Sequence, residues 1–388
     1  MKFPLKMALV AAGALVVSAV STVSAASAAS PSAYADSPPK PKTPFVQPFH
    51  TVSTISSTVP ANGDLNPYGT TVVPVSKDRL RTGDVLVSNF NNAQNQQGRG
   101  STIVEISPGG KQRLFAQISP AKLPGGPGSC PGGIGLTTAL VVLRSGWVVV
   151  GSLPTTNGMA ATAKAGCLIV LDSNGTVRET IAGHGINGPW DMTAHDNGTS
   201  AELFVTNVLN GTVAAGGNVV KKGTVLRLSL EVDKHKPPKL RHVTTIGSGF
   251  GERTDPAALV VGPTGVGLGA DGTLFVADTV GNRITAIPDA VRRENSAGTG
   301  RTVSTDVHLN GPLGLAIAPN GNILTVNGGD GFLVETTRDG RQVATRLLDN
   351  TGTPPGVGAL FGLAVAPAHI GVYFVDDNTN TLNLLHRP

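Results

Sequence analysis

The sequence predicts an all-β protein, a six-bladed β-propeller of four-stranded antiparallel blades. Three observations lead to this prediction: a repeat with a period of 49 residues, Asn-Gly and Asp-Gly turns between short apolar segments, and the composition. The 388 residues include 50 Gly and 28 Pro, and only 14% of them are charged. This composition suits many short strands joined by tight turns. A core built from repeats also allows one domain to exceed the usual limit of about 250 to 300 residues.

The repeat is clearest in the second half of the chain. Residues 262–278 match residues 311–327 at a constant offset of 49, and residues 360–377 form a third copy. Each copy has an apolar strand rich in small residues, a short turn, and a second apolar strand that ends on a polar residue. Asn-Gly and Asp-Gly turns between such strands are typical of β-hairpins. Two further strands follow in each copy, so the unit is a four-stranded blade.

Less similar units precede these three copies and bring the number of blades to six. The sixth unit has only three strands of its own, of which the last extends to His386. An unpaired strand at the edge of a sheet is a site of aggregation. We therefore expect the alternating residues 50–55 to supply the missing outer strand, so that two distant segments of the chain close the ring.

The N-terminal part of the chain predicts export to the periplasm or the extracellular space. Two lysines precede an apolar run that ends in small residues, and we assign residues 1–28 to a signal peptide. An uncleaved membrane anchor is the alternative, although the run is shorter than the roughly 20 residues that a spanning helix needs. Residues 29–48 are predicted to be a tether rich in Pro and Ser, and residues 49–388 the propeller. After cleavage we expect a monomer without a transmembrane span.

The charge and the cysteine content indicate which kinds of partner and which cellular compartment to expect. The formal net charge is +5 and the basic residues are scattered, so the sequence predicts no nucleic-acid groove. Cys130 and Cys167 are the only cysteines. In an oxidising exported setting we expect them to form one disulfide, and two buried free thiols are the alternative.

Short polar residues end the second strand of every predicted blade. They are Asn89, Ser152, Asn207, Asp278, Asn327 and Asp377. We expect these strand ends to surround one mouth of the central channel. Asn207, Asp278, Asn327 and Asp377 are the candidate ligands of Ca²⁺ or another divalent cation, because hard cations take oxygen ligands. Asn89 and Ser152 are candidate contacts of a bound ligand. The alternative is that all six side chains bond neighbouring backbone groups.

Two loops before inner strands add histidines to this candidate site. Both loops contain Asn-Gly-Pro, with His184 three residues before Asn187 and His308 two residues before Asn310. We predict that both histidines lie near the same mouth, where imidazole acts as a general base or metal ligand. Asn187 and Asn310 are candidate ligand contacts. Solvated loop histidines are the alternative.

Residues 262–284 resemble the NHL repeat through Gly-Pro-x-Gly, Asp-Gly-x-Leu-Phe-Val-Ala-Asp and Gly-Asn-Arg-Ile. More broadly, the chain resembles the six-bladed propellers that include NHL proteins, gluconolactonase-type lactonases, streptogramin B lyase and strictosidine-synthase-like proteins. In the gluconolactonase type, a Glu beside the start of the first blade joins Asn and Asp residues in holding a divalent metal. This chain has Asp64 in that region and no Glu. For the lyase type, the comparable set is His308 with Asp278 or Asp377.

We predict from these observations an exported binding module that uses the polar mouth of its channel. Its partner would be a small molecule, a glycan or a protein. The alternative is a metal-dependent hydrolase or lyase, lactonase-like or streptogramin-lyase-like, with a cation at the mouth. No cofactor other than this divalent cation is indicated. Propellers host both classes of function, so the resemblance alone does not choose between them.

Overall fold

A computed structural model describes residues 43–388, and the predicted signal peptide and most of the predicted tether lie outside the described residues. The described chain forms six antiparallel sheets, each containing four strands in the order of a propeller blade. The first strands of neighbouring blades contact one another in a closed ring. The predicted six-bladed β-propeller is confirmed. Within residues 43–388, no helix is long and apolar enough to cross a membrane.

Twenty-five strands build the six blades, and β1 (Thr51–Ser57) belongs to the last of them. Blade one has β2 (Leu65–Val72), β3 (Val85–Asn91), β4 (Thr102–Ile106) and β5 (Gln112–Gln117). Blade two has β6 (Leu136–Val142), β7 (Val148–Ser152), β8 (Cys167–Leu171) and β9 (Val177–Ile181). Blade three has β10 (Gly188–Asp196), β11 (Ser200–Val208), β12 (Val220–Glu231), β13 (Lys239–Asp255) and a short fifth strand, β14 (Leu259–Val261).

The last three blades follow the 49-residue repeat closely. Blade four has β15 (Pro263–Leu268), β16 (Leu274–Asp278), β17 (Arg283–Ile287) and β18 (Arg301–Thr305). Blade five has β19 (Pro312–Ile317), β20 (Ile323–Asn327), β21 (Phe332–Thr336) and β22 (Gln342–Leu347). Blade six has β23 (Leu360–Val365), β24 (Gly371–Asp376) and β25 (Thr381–His386), with β1 outside them. Four single-turn 3-10 helices lie in the described loops: Pro120–Lys122, Pro127–Ser129, Ala160–Thr162 and Pro367–His369.

The expected closure of the ring is confirmed. Strand β1 pairs antiparallel with β25, with Thr51 opposite His386 and Ser57 opposite Thr381. A side-chain hydrogen bond from Thr54 Oγ1 to Asn383 Oδ1, at 2.9 Å, crosses the same pair. The outer edge of β25 is therefore covered by a strand from the opposite end of the described chain.

Residues 43–49, which we call the latch segment, extend the folded unit beyond the predicted boundary at residue 49. Val46 is fully buried and Phe49 is 2% exposed, both in a core cluster shared by blades five and six. The backbone N–H groups of Phe45 and Val46 donate to the Glu335 carboxylate at 2.8 and 2.9 Å. The prediction of a tether through residue 48 was wrong at its end, because apolar side chains in the latch segment bury against the blades.

The predicted disulfide between Cys130 and Cys167 is confirmed. Cys130 lies in the long loop before β6 and Cys167 begins β8, so the bond ties an irregular loop to a central strand of blade two. Both residues are fully buried, with a Cα–Cα separation of 5.3 Å. The second blade, whose loops are long, thus gains a covalent crosslink next to its apolar core.

Replacing both cysteines with alanine is expected to lower the free energy of unfolding by about 3 to 4 kcal/mol. The bond closes a loop with a sequence separation of 37, and its removal raises the entropy of the unfolded chain. Urea unfolding of the double variant and of the oxidised protein measures the difference. An unchanged midpoint would contradict a stabilising effect of the crosslink. The wild-type protein unfolded in the presence of reductant serves as control, because it loses the bond and keeps both side chains.

Candidate functional site

The Gly-Pro-x-Gly repeat motif builds the wall of the central channel. The Pro opens an inner strand and pairs with the polar end of the second strand, as Pro263 does with Asp278. Two residues later the strand bulges, and its Gly lies against the inner strand of the next blade. A Cβ at Gly314 would overlap the carbonyl oxygen of Phe361, and one at Gly362 would overlap that of Tyr68. The inner strands therefore touch through their backbones around the axis.

The residue between Pro and Gly points towards the axis and fills one end of the channel. Tyr68 stacks on Phe361 with ring centroids 4.0 Å apart and on Phe90 at 4.5 Å. Trp190 lies 6.3 Å from the same tyrosine ring, and Leu313 belongs to the same buried cluster. We call Tyr68, Trp190, Leu313 and Phe361 the plug. Burial raises the pKa of Tyr68 well above its usual value, with the Asp377 charge adding to the effect.

An extension of blade three covers the plug from outside. Strand β13 continues into β14, and residues 258–261 join the plug in one apolar cluster. Trp190 Nε1 donates to the carbonyl oxygen of Val260 at 3.0 Å. Gln97 Nε2 donates to the carbonyl oxygen of Pro256 at 2.7 Å and ties the extension to blade one. The mouth that the polar strand ends surround is therefore closed.

The polar residues at the strand ends of the first three blades bond local groups. Asn89 Nδ2 donates to Thr58 O at 3.0 Å and to Thr102 Oγ1 at 3.2 Å. Ser152 Oγ donates to Gly133 O at 3.0 Å. Asn207 Oδ1 accepts the N–H groups of Asn187 and Gly188, while its Nδ2 donates to Gly185 O and Thr224 Oγ1. All three side chains are fully buried and hold the loops of their own blades.

In the last three blades the strand ends are bonded in the same way. Asp278 forms an ion pair with Arg283 at 2.8 Å. Asn327 Nδ2 donates to the carbonyl oxygen of His308 at 2.7 Å. In blade six the equivalent residue is Asp376, which lies opposite Leu360, and not the predicted Asp377. The alignment was wrong by one residue because two adjacent aspartates offer the same side chain, and the 49-residue spacing continues unbroken to Asp376.

Asp377, the next residue in the chain, lies in a different environment. Its backbone N–H donates to Ala359 O at 2.8 Å. Burial, with the neighbouring charge of Asp376, raises the pKa of Asp377 to about 7. Burial and the charge of Asp349 raise the pKa of Asp376 to about 6. Among residues 43–388, no group of three or more His, Cys, Asp or Glu side chains could hold a metal ion. Of the predicted ligands in the described chain, Asp278 and Asp377 belong to no such group, and Asn207 and Asn327 bond groups of their own blades.

The two predicted histidines lie on separate surface grooves. His184 is exposed and shares a groove of about 350 Å³ with residues 237–240 of blade three. His308 is exposed and shares a groove of about 320 Å³ with Asn310 and Asp330. Asn187 is held by Asn210, to which its Nδ2 donates at 2.6 Å. In the described part of the chain, neither histidine lines the channel.

Asp64 lies near the start of the first blade, where the gluconolactonase type has a Glu, and it also forms hydrogen bonds within its blade. Its Oδ2 accepts the N–H of Ser101 at 2.8 Å and the hydroxyl of Thr102 at 2.9 Å. The side chain thus fixes the start of β4 and is almost fully buried. One oxygen of the Asp64 carboxylate is therefore engaged within blade one.

The opposite half of the channel is an open-ended cavity of about 240 Å³, to which all six inner strands contribute. Its lining residues are Thr70, Thr71, Thr138, Leu140, Val141, Asp191, Met192, Thr193, Val266, Gly267, Leu268, Gly314, Leu315, Ala316, Ile317, Gly362, Leu363 and Ala364. Residues near the plug, such as Leu315, are buried, whereas Ile317 and Ala364 farther along the strands are partly exposed. The cavity is therefore blind at the plug and opens where the inner strands end.

Asp191 is the only ionisable residue among these described lining residues. It occupies the bulge position that Gly takes in blades four, five and six, and it is 8% exposed. Its Oδ1 accepts the N–H of Met192 at 2.8 Å and its Oδ2 accepts the N–H of Val266, on the next inner strand, at 3.1 Å. Burial raises the pKa of Asp191 to about 8 although these two hydrogen bonds favour the charged form.

Asp191 is not among the predicted site residues, although the repeat contains a signal for it. In the aligned inner strands, Gly265, Gly314 and Gly362 stand where blade three has Asp191. A carboxylate in place of a glycine at a close backbone contact is a marked departure from the repeat. Carboxyl groups with strongly shifted pKa values inside a cavity are typical of functional sites.

Replacing Trp190 with alanine is expected to destabilise the protein by about 3 to 5 kcal/mol. The indole is almost fully buried, and its removal loses apolar contacts and leaves a cavity and an unpaired Val260 carbonyl. Trp190→Phe restores most of the volume and serves as the matched control, with a loss of roughly 1 to 2 kcal/mol for the hydrogen bond. Guanidinium unfolding gives both values. Equal stability of the two variants would contradict a packing role for the plug.

The comparisons with known proteins establish the fold. No protein-family model matches the sequence, and no curated protein matches it. The structure is similar to a gluconolactonase from Xanthomonas campestris (13% identity, 87% of this chain and 89% of that chain covered, TM-score 0.55). It is also similar to regucalcin, a calcium-binding protein from Agrobacterium tumefaciens (14%, 87% and 94%, 0.52), and to a luciferin-regenerating enzyme (12%, 86% and 94%, 0.51). This chain therefore has the six-bladed β-propeller fold that these structures share.

Proposed function

We propose that the protein binds a small molecule in the open half of its central channel. The observation that carries this proposal is the blind cavity with one buried carboxyl group, Asp191, in a wall made by all six blades. A concave site that contains a buried carboxyl group with a shifted pKa is a typical candidate for ligand binding. The proposal retains the predicted binding role and moves it to the opposite mouth of the channel.

The volume of the cavity limits the size of the ligands that it can hold. Sites for drug-sized ligands usually have volumes of about 300 to 1,000 Å³, and this cavity has about 240 Å³. The wall cannot widen easily, because the inner strands touch at Gly314 and Gly362. A small molecule therefore suits the channel better than a glycan chain or a protein segment.

Filling the open end of the channel tests the proposal. Ala316→Phe places a large side chain among the lining residues, and Ala257→Phe adds the same side chain on the exposed surface of the blade-three extension. Small soluble fragments are screened against the protein by saturation-transfer NMR. We expect a set of binders whose signals disappear with Ala316→Phe and persist with Ala257→Phe. Binders that still bind to the Ala316→Phe variant would overturn the proposal, as would a screen that finds no binders.

The alternative of a metal-dependent hydrolase or lyase predicts a clear metal effect. Similarity to a gluconolactonase at 13% identity supports the fold and no particular chemistry. Since the predicted ligands are bonded within their blades, we expect Ca²⁺, Mg²⁺ and Zn²⁺ at millimolar concentration to leave Tm unchanged. A ligand that binds only the folded state must raise Tm. A rise of several degrees that Asp278→Ala abolishes would favour the enzyme instead.

A further inference from the structure

We propose that the channel selects small ligands that carry a primary ammonium group, with Asp191 as the counter-ion. This inference rests on the proposed function, because it assigns a ligand class to the same cavity. It comes from three features of the wall: the sign of its charge, the hydrogen-bonding capacity of Asp191 and the lack of aromatic rings among the described lining residues.

The charge of the wall excludes anions. The lining residues of the described chain contain one carboxyl group and no Lys, Arg or His. An anionic ligand would lose its hydration without gaining a counter-charge, and burial of an unpaired charge is strongly unfavourable. A cationic group placed near Asp191 would instead be paired, and a pair with hydrogen bonds is the arrangement in which buried charges are tolerated.

The acceptor that the wall offers to an ammonium group is the Asp191 carboxyl group on β10. Its Oδ1 accepts the N–H of Met192 and its Oδ2 accepts the N–H of Val266, and an ionised carboxylate has lone pairs for further donors. An ammonium group has three N–H donors and no acceptor. A primary ammonium group therefore can pair with Asp191 through both charge and hydrogen bonds.

The remaining wall exposes more polar than apolar surface, and its aliphatic side chains suit a short hydrocarbon body. Leu140, Met192, Val266, Leu315 and Leu363 line the cavity, and no aromatic ring is among the described lining residues. Quaternary ammonium ions are recognised by aromatic cages and have no N–H donor. The wall therefore distinguishes a primary ammonium group from a trimethylated one of similar charge.

Proton linkage supplies a signature of this binding mode. Burial raises the pKa of Asp191 to about 8 in the free protein, so the carboxyl group is mostly neutral at pH 7. A bound ammonium ion favours the carboxylate, and binding must then release a proton. The Kd for such a ligand is expected to fall about tenfold from pH 6 to pH 7 and to level off above pH 8.

The test uses n-propylammonium, 1-propanol, propionate and n-propyltrimethylammonium as probes of the intact protein. NMR titration gives the Kd of each from pH 6 to pH 9. We expect n-propylammonium to bind at least tenfold more tightly than the others at pH 8. Asp191→Asn should remove both this preference and the pH dependence, whereas Asp339→Asn, which removes an exposed carboxylate in the turn after β21, should change neither.

The possible outcomes distinguish an error in the ligand class from an error in the location of the site. If 1-propanol or n-propyltrimethylammonium binds as tightly as n-propylammonium and Ala316→Phe blocks it, the channel is a binding site and the ammonium inference is wrong. If no probe binds, or if binding survives Ala316→Phe, both proposals fail. If Asp191→Asn does not fold, the pH dependence of the wild-type Kd decides. A flat Kd for n-propylammonium from pH 6 to pH 8 overturns the inference.

Discussion

A variant that begins at residue 58, and so lacks the latch segment and β1, is expected to lose its cooperative fold. The deletion removes the buried side chains of Val46 and Phe49 and leaves the edge of β25 unpaired. Each large buried side chain contributes roughly 2 to 5 kcal/mol, and the stability of a whole domain is only about 5 to 15 kcal/mol. Circular dichroism during thermal unfolding should show a broad transition, and size-exclusion chromatography should show aggregates.

The matched control begins at residue 43 and retains every described contact of the latch segment. It should unfold like the full chain. A point variant then tests the contribution of the latch segment alone. Glu335 is fully buried, and its carboxylate accepts hydrogen bonds from the backbone of Phe45 and Val46 and from the Asn322 side chain. Glu335→Ala leaves these donors unpaired and should cost about 3 kcal/mol or more. A cooperative, monomeric variant beginning at residue 58 would contradict a closing role for these segments.

The free energy of unfolding is expected to fall as pH rises from about 4 to about 8. The pKa of Asp191 is about 8 in the folded protein, far above the value of about 3.9 in an unfolded chain. Between these values the folded state binds more protons than the unfolded state, so raising the pH favours unfolding. One pKa unit corresponds to about 1.4 kcal/mol, and Asp191 alone contributes on the order of 5 kcal/mol over this range.

Urea unfolding at pH 5, 6, 7, 8 and 9 measures this dependence. Asp191→Asn cannot ionise and should reduce the slope between pH 5 and pH 8, while Asp339→Asn should leave it unchanged. Glu252, whose pKa burial raises to about 7, and Asp376 and Asp377 act in the same direction and leave a residual slope. An equal slope in the wild-type protein and in Asp191→Asn would show that Asp191 is ionised in the folded protein.

The fold could be predicted from the sequence because each blade repeats the same local information. The Asp-Gly turn at residues 271–272 and the Asn-Gly turn at residues 320–321 are present, with φ of +80° at Gly272 and +87° at Gly321. The closing strand was also predictable, since an open ring would leave an edge unpaired. The register of blade six was not, because Asp376 and Asp377 are chemically identical and only the strand pairing distinguishes them.

The sequence could not show that the mouth with the predicted site residues is covered, and the reason is tertiary. Polar strand ends such as Asn207 mark one mouth in every blade, but an extension of blade three buries that mouth under residues 258–261. No short-range pattern states where an inserted hairpin will pack. The repeat also located Asp278 at a strand end but did not reveal its role. Its carboxylate pairs with Arg283, five residues farther along the chain across a turn.

The contact between backbones at Gly314 and Gly362 has a consequence for the evolution of the protein. At these contacts the spacing of neighbouring inner strands is set by main-chain atoms and not by the side chains beside them. Positions such as Ala316 and Ala364 can therefore change their side chains while the spacing of these strands is kept. Substitutions there alter the surface of the channel at little risk to its frame.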